Sequence, residues 1–285
     1  MVVVRPATDG DADALAGLVT GTLDAHLIHH GRVLVATEQV GVIGCGVICE
    51  NRWHPKRASI ALWPGDGQGW KTVSRMLLAA LRELDARPVR VRLRGDDPAG
   101  LSFWASVGLQ PLIVSHLVTV DSNDPVVRDW AATVAGPDGV ELRDFGTEPS
   151  TVELAALAAF YERVHRWDPP RTMSAADVRR DLAGDLLIGV AAWAEGSIVA
   201  VGAVHEGAQG LQEAALIGST LRDDDTMAAW MLATLLSRVP GHLEIEADEG
   251  VGAASDLVRA LRDLPTAQWG ETVVILSDTV ETPAR

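Results

Sequence analysis

Gly95-Asp96-Asp97-Pro98-Ala99-Gly100-Leu101-Ser102-Phe103-Trp104-Ala105-Ser106-Val107-Gly108-Leu109 lies between two strand-like runs, Val89–Arg94 and Leu112–Val120. The stretch reads as a short helix with its start and stop written into it. Asp96 or Asp97 is suited to cap the first turn, and Pro98 fits the first helical position, where no N–H is needed. Gly108 fits the C-terminal end, where the chain leaves the helix through a left-handed conformation. Strand, capped helix, glycine stop and strand together predict an α/β fold with a mixed sheet.

The elements on either side extend this reading. Before it, the pattern predicts strand Val2–Arg5, helix Asp11–His30, and strands Arg32–Thr37, Gly41–Cys49 and Ala58–Trp63. A helix over Trp70–Leu84 follows, with Val73, Leu77, Ala80, Leu81 and Leu84 on one face. Asp121–Gly139 reads as a connector with a short helical piece at Val126–Val134. The order then recurs: strand Val140–Arg143, helix Val152–Val164, a helix capped by Ser174, and strands Leu186–Trp193, Ser197–His205 and Gln212–Leu221. Helix Thr226–Val239, strand His242–Ala247, helix Gly252–Leu264 and strand Glu271–Leu276 complete it. Later elements of the two halves match at offsets of roughly 153 to 158 residues, which predicts a duplicated unit. The expected domains are residues 1–122 and 140–285, with 123–139 between them.

Composition narrows the function classes. The chain has 285 residues, 47% apolar and 22% charged, which is a globular balance. Its formal net charge of −15 argues against nucleic-acid binding, which draws on basic patches. No apolar run approaches the roughly 18 residues of a membrane span. The N-terminal Met-Val-Val-Val-Arg-Pro is too soon charged for a signal peptide, so a cytoplasmic protein without membrane contact is expected. Cys45 and Cys49 share one strand face, a poor geometry for a disulfide, and nothing completes a metal site around them. They read as small buried apolar residues, and no metal is expected.

Two strand-to-helix loops differ in kind. The first is Leu62-Trp63-Pro64-Gly65-Asp66-Gly67-Gln68-Gly69-Trp70-Lys71-Thr72, with Arg75 one turn on. Three glycines free its backbone to curl round a phosphate, and a helix N-terminus favours an anion. Its counterpart, Leu221-Arg222-Asp223-Asp224-Asp225-Thr226, has no glycine and three carboxylates. Like charges near water oppose an anion by about 1 kcal/mol per pair. That half is expected to bind no phosphate. The only two lysines, Lys56 and Lys71, bracket the strand that leads into the first loop, with Arg57 and Arg75 nearby, as a steering patch or as a by-product of arginine-rich coding.

The Gly95–Leu109 stretch resembles the last motif of the GCN5-related N-acetyltransferases, in which an aromatic pair and a glycine follow the fifth strand. The element order is similar as well, so the chain resembles two tandem GNAT-like acyl-CoA N-acyltransferase domains. The resemblance implies coenzyme A at the fourth strand and following helix, under the signature Arg/Gln-x-x-Gly-x-Gly/Ala. The residues matching that site are Leu62, Trp63, Gly65, Gly67, Gln68, Gly69, Trp70, Lys71 and Thr72, with Asp97 and Ser102 from the downstream motif. It also implies a tyrosine as general acid where this chain has Trp104, which has no such proton to give. The one tyrosine is Tyr161, in the second half.

For a general base, Glu50 and His54 stand just past the third strand. Trp53, Trp63, Trp70 and Trp104 line an acceptor pocket or are scattered core residues. The expected function is acetyl transfer from acetyl-CoA to the amine of a small molecule by the first repeat, in a monomer or homodimer. The alternative is an inactive GNAT-like ligand- or partner-binding protein.

Overall fold

The computed structural model describes residues 1–19, 27–39, 41–65, 67, 69–207, 212–250 and 255–278. The chain forms two compact units. The first takes Met1–Leu93, Asp97–Pro111 and Ile275–Arg285, and the second takes Arg94–Asp96 and Leu112–Val274. The expected N-terminal domain and the first unit thus share residues 1–93 and 97–111.

In the first unit, strands β1 (Val3–Pro6), β2 (Arg32–Glu38), β3 (Gly41–Glu50), β4 (Ala58–Trp63) and β5 (Val89–Arg94) lie in that order in the sheet. The first four pair antiparallel, and β4 pairs parallel to β5. The long helix expected at Asp11–His30 is interrupted. A 3-10 turn at Asp9–Asp11 leads into α1 (Ala12–Leu18), and Val19 is already extended, with φ −101° and ψ 106°. Gly17 weakens the last turn of α1, and β-branched Val19 favours the extended backbone in which it sits. Residues 27–30 are helical again, and the reading of 20–26 falls outside the described residues.

Helix α2 (Trp70–Leu84) occupies the expected span. It buries Val73, Leu77, Leu78 and Leu81, while Leu84, expected on the same face, is exposed. Gly44 on β3 lets α2 close on the sheet, because a Cβ there would meet Val73 Cγ1 at 3.0 Å and Pro64 Cα at 3.1 Å. Helix α3 (Pro98–Ser106) is capped by Asp97, whose carboxylate accepts from Gly100 N–H at 2.9 Å. Its exit uses Gly108 at φ 91°. The deciding stretch of sequence therefore folds as its residues dictate.

The second unit repeats the layout. Strand β6 (Gln110–Asp121) enters it from Leu112 onward. Helix α4 (Pro125–Thr133) precedes β7 (Glu141–Asp144), α5 (Thr151–Val164), α6 (Ala175–Asp181), β8 (Leu186–Ala194), β9 (Ser197–Glu206) and β10 (Gln212–Ser219). Helix α7 (Asp225–Arg238), β11 (His242–Gly250), α8 (Asp256–Arg262) and β12 (Gln268–Ser277) follow. The residues of β12 from Ile275 onward count with the first unit. The sheet order is β6-β11-β10-β9-β8-β7, antiparallel except for the β10–β11 pair. Glu195 and Gly196, both at positive φ, form the expected β8–β9 hairpin turn. The core joins Val118, Met231, Leu235, Leu243, Ile245 and Val258 from the sheet, α7 and α8. Burying each such side chain contributes roughly 1.5–3 kcal/mol.

Candidate functional site

Each unit has a notch where its two parallel strands separate. In the first, β4 pairs with β5 only at Ala58 with Val89 and Ser59 with Arg90. Beyond Ser59 the strands diverge, so the β4 edge from Ile60 to Trp63 carries backbone groups that β5 does not take up. In the second, β10 pairs with β11 from Gln212 to Ala214, and a bulge follows between Ala214 and Leu216. Crevices at the carboxyl ends of parallel strands are where open α/β sheets take ligands.

The mouth of the first notch is the loop into α2. Gly69 caps this helix without a side-chain bond, and Cβ atoms built on Gly67 and Gly69 meet nothing within 4 Å. Gly65 differs, since a Cβ there would press on Ile43 O at 2.7 Å, so the close backbone approach requires glycine. Lys71, Thr72 and Arg75 are exposed on the first turns of α2. Lys71 Nζ lies 5.5 Å from the Trp70 ring, and the Arg75 guanidinium 6.0 Å from Phe103. Arg75 also donates to Ser106 Oγ at 3.3 Å. Neither cation makes an ion pair among the described residues. Trp70 packs against Phe103 at 5.4 Å, which ties α2 to α3. Gln68 lies outside the described residues.

The mouth of the second notch is filled by its own side chains. Asp224 caps α7 and accepts from Met227 N–H at 3.1 Å. Asp223 accepts from Arg163 at 2.6 Å and from Arg166 at 3.3 Å, and Asp225 pairs with Arg259. Behind them Asp256 is buried and accepts from the Asp224 N–H at 3.3 Å. Burial pushes its carboxyl above the usual carboxylate range. Phe160 of α5, itself buried, packs against Gly218 at the end of β10; a Cβ there would meet its ring at 3.3 Å. The sequence announced the carboxylates. It did not announce Phe160 or the arginines that neutralise them, because those partners come from α5, the turn after it and α8, far along the chain.

The remaining expected residues fall as follows. Leu62 and Trp63 lie on the diverging part of β4, half-buried. Asp97 is the α3 cap, and Ser102 is exposed on α3. Trp104 is buried, 4% exposed, in edge contact with Phe103, whereas Trp53, Trp63 and Trp70 are half-buried. Glu50 ends β3 opposite Ala58 and accepts from Arg87 at 3.2 Å. His54 is 5% exposed, in a turn where Asn51 Oδ1 accepts from the N–H groups of Trp53 and His54. Both therefore stand at the closed end of the notch, and the loop is not simply a solvated one. Arg57 is buried with its Nε donating to Ser277 Oγ at 3.1 Å, so it adds nothing to a steering patch. Tyr161 belongs to the second unit, its ring 4.0 Å from that of His165. Burial pushes His205 below its ordinary value. Cys45 and Cys49 are free thiols, Cys45 fully buried and pushed up to about 12. No helix among the described residues is long and apolar enough to cross a membrane.

Twelve strands in two units, each with one splayed parallel pair, have the tandem fold of the GCN5-related N-acetyltransferases. The solved structures bear this out. A GCN5-related N-acetyltransferase from Sphaerobacter thermophilus matches at a TM-score of 0.64 and 14% identity, over 97% of this chain and 95% of that one. A tandem GNAT protein from the clavulanic acid biosynthesis pathway matches over 100% of both chains, at 0.56 and 14%. A GCN5-related N-acetyltransferase from Kribbella flavida matches at 0.51 and 19%, over 96% of this chain and 98% of that one. At such identities the likeness is one of fold. No family model matches the sequence, and no curated protein matches it.

Proposed function

We propose that this chain is an N-acyltransferase that takes acetyl-CoA in the notch of the first unit and acetylates the amine of a small molecule. One observation carries the reading. In a chain of net charge −15, the first turns of α2 hold Lys71 and Arg75 without carboxylate partners among the described residues, beside a loop in which Gly67 and Gly69 face open space. The corresponding turn of α7 is capped and charge-paired from within the chain.

Coenzyme A fits the first site by its chemistry. The pyrophosphate would lie on the α2 N-terminus, held by backbone N–H groups and by Lys71 and Arg75. Bound there, the coenzyme supplies a thioester whose leaving thiol has an ordinary pKa of about 8.5. The β4 edge from Ile60 to Trp63 offers backbone donors to polarise a carbonyl. Glu50 and His54, at the closed end, are the candidates to receive the proton of the attacking amine, directly or through water. The acceptor is a small molecule.

A second reading, a relative that binds its ligand without turnover, is favoured by Trp104. The resemblance implies a general acid at that position, and here it holds a buried indole. Calorimetry with acetyl-CoA, followed by turnover over a set of small amines, tests both. Binding with turnover supports the transferase, and binding without turnover supports the silent relative. Absence of binding at about 1 mM coenzyme would end the transferase reading. In an active preparation, Glu50→Gln or His54→Gln should lower kcat by about 100-fold, whichever is the base. Glu206→Gln, at the matching strand end of the second unit, should leave kcat unchanged.

A further inference from the structure

A cavity of about 560 Å3 opens within the second unit between α4 and α7, apart from the loop that caps the α7 N-terminus. Its apolar wall includes Val127, Trp230, Leu236 and Val239. Arg128 and Arg238 are the charged residues among its described lining, and no carboxylate joins them. This is notable in a chain with 39 acidic residues against 24 basic ones. Arg128 donates only to neutral oxygens, Ser122 O at 3.3 Å and Asn123 Oδ1 at 3.0 Å, and makes no ion pair among the described residues. Arg238 pairs through Nη2 with Asp144 at 3.1 Å, yet its buried Nη1 has no hydrogen-bond partner. A buried donor without an acceptor calls for an explanation, and a rotation of the guanidinium that brings this donor onto an incoming ligand oxygen provides one.

We propose that this cavity binds an amphipathic organic carboxylate. The apolar body would lie against Trp230 and the aliphatic wall, and the carboxylate would meet Arg128 and Arg238. The volume is within the range of small-molecule pockets, which pair an apolar lining with a few polar groups that fix orientation. Guanidinium groups suit a planar carboxylate because two parallel N–H donors match its two oxygens. The site is independent of the acetyl-CoA reading, since none of its residues belongs to the first unit.

The test uses the full chain and 2-naphthoate as probe, with 2-naphthalenemethanol as its neutral counterpart and 2-naphthylmethylammonium as its cationic one. Calorimetry should give one naphthoate per chain, bound at least about tenfold more tightly than the alcohol, and no heat from the cation. Arg128→Gln, at an exposed position, should weaken naphthoate by about fivefold or more. Ala131→Trp should abolish binding by filling the cavity. If that variant fails to fold, Ala132→Trp at an exposed lining position replaces it. Acetyl-CoA titrations of the same variants should match the parent protein. Equal binding of acid and alcohol, binding unchanged by both substitutions, or no heat at about 1 mM naphthoate would overturn the proposal.

Discussion

The loop into α2 and the loop into α7 occupy equivalent places in the two units, yet they meet the same electrostatic demand in opposite ways. A helix N-terminus carries partial positive charge and unsatisfied N–H groups. At α7 the chain answers with its own carboxylates: Asp224 caps, and Asp223 and Asp225 are held by Arg163, Arg166 and Arg259. At α2 it answers with glycine, and adds Lys71 and Arg75 instead of acids. The first arrangement is complete within the protein, and under the proposed function the second would be completed by an external anion. A duplicated fold can thus retain its shape in both copies while one copy fills with its own side chains the loop that the other leaves open.

The largest effect that sharpens this contrast is one of stability. Phe160→Ala should cost about 3 kcal/mol, because the ring is buried against Gly218. Chemical denaturation measures it, and the acetyl-CoA affinity should be untouched. Had Phe160 shaped a ligand cleft, affinity would change with it. Next comes charge reversal at the two helix starts. Lys71→Glu should weaken acetyl-CoA by about tenfold, or 1.4 kcal/mol, with little change in melting. Arg259→Glu should do the reverse, lowering the melting temperature and sparing the affinity.

The smallest effect is a difference in pH response. Asp85, hydrogen-bonded to Arg87 in the first unit, is held down to about 2. A depressed carboxyl stabilises the fold above its unfolded value of about 3.9, and that contribution is lost as pH falls towards 2. Asp256 in the second unit is raised by burial. Its folded form holds a proton more tightly than the unfolded chain, so its contribution is present below about 3.9 and lost as pH rises through the raised value. Asp256→Asn should therefore melt higher than the parent at pH 7, with the gap closing in acid. Asp85→Asn should melt lower at pH 7, and that gap should also close in acid. Parallel shifts at every pH would contradict the two environments.

Much of the fold was legible because its signals are local. Asp97, Pro98 and Gly108 announce α3 at both ends, and Val73, Leu77 and Leu81 announce the buried stripe of α2. The break after Leu18 was missed because the apolar spacing continues through a stretch whose backbone becomes extended at Val19. The candidate site could be read in advance only where one segment makes it, as at the glycine loop before Lys71 and at Asp223–Asp225. The pairing of Asp223 with Arg163, the burial of His54 and the Arg57–Ser277 contact depend on segments brought together by folding. No periodicity encodes them.

The central claim is that the first unit, and not the second, receives the coenzyme. Gly69→Asp tests it most directly, because it gives α2 the acidic cap that α7 already has. Its Cβ would enter open space, and an aspartate N-cap is a few tenths of a kcal/mol better than glycine. Calorimetry with acetyl-CoA should then find the affinity at least about tenfold weaker, while the melting temperature holds or rises. Unchanged affinity in Gly69→Asp, together with a loss of affinity in Asp224→Gly, would assign the coenzyme to the second unit and contradict the account.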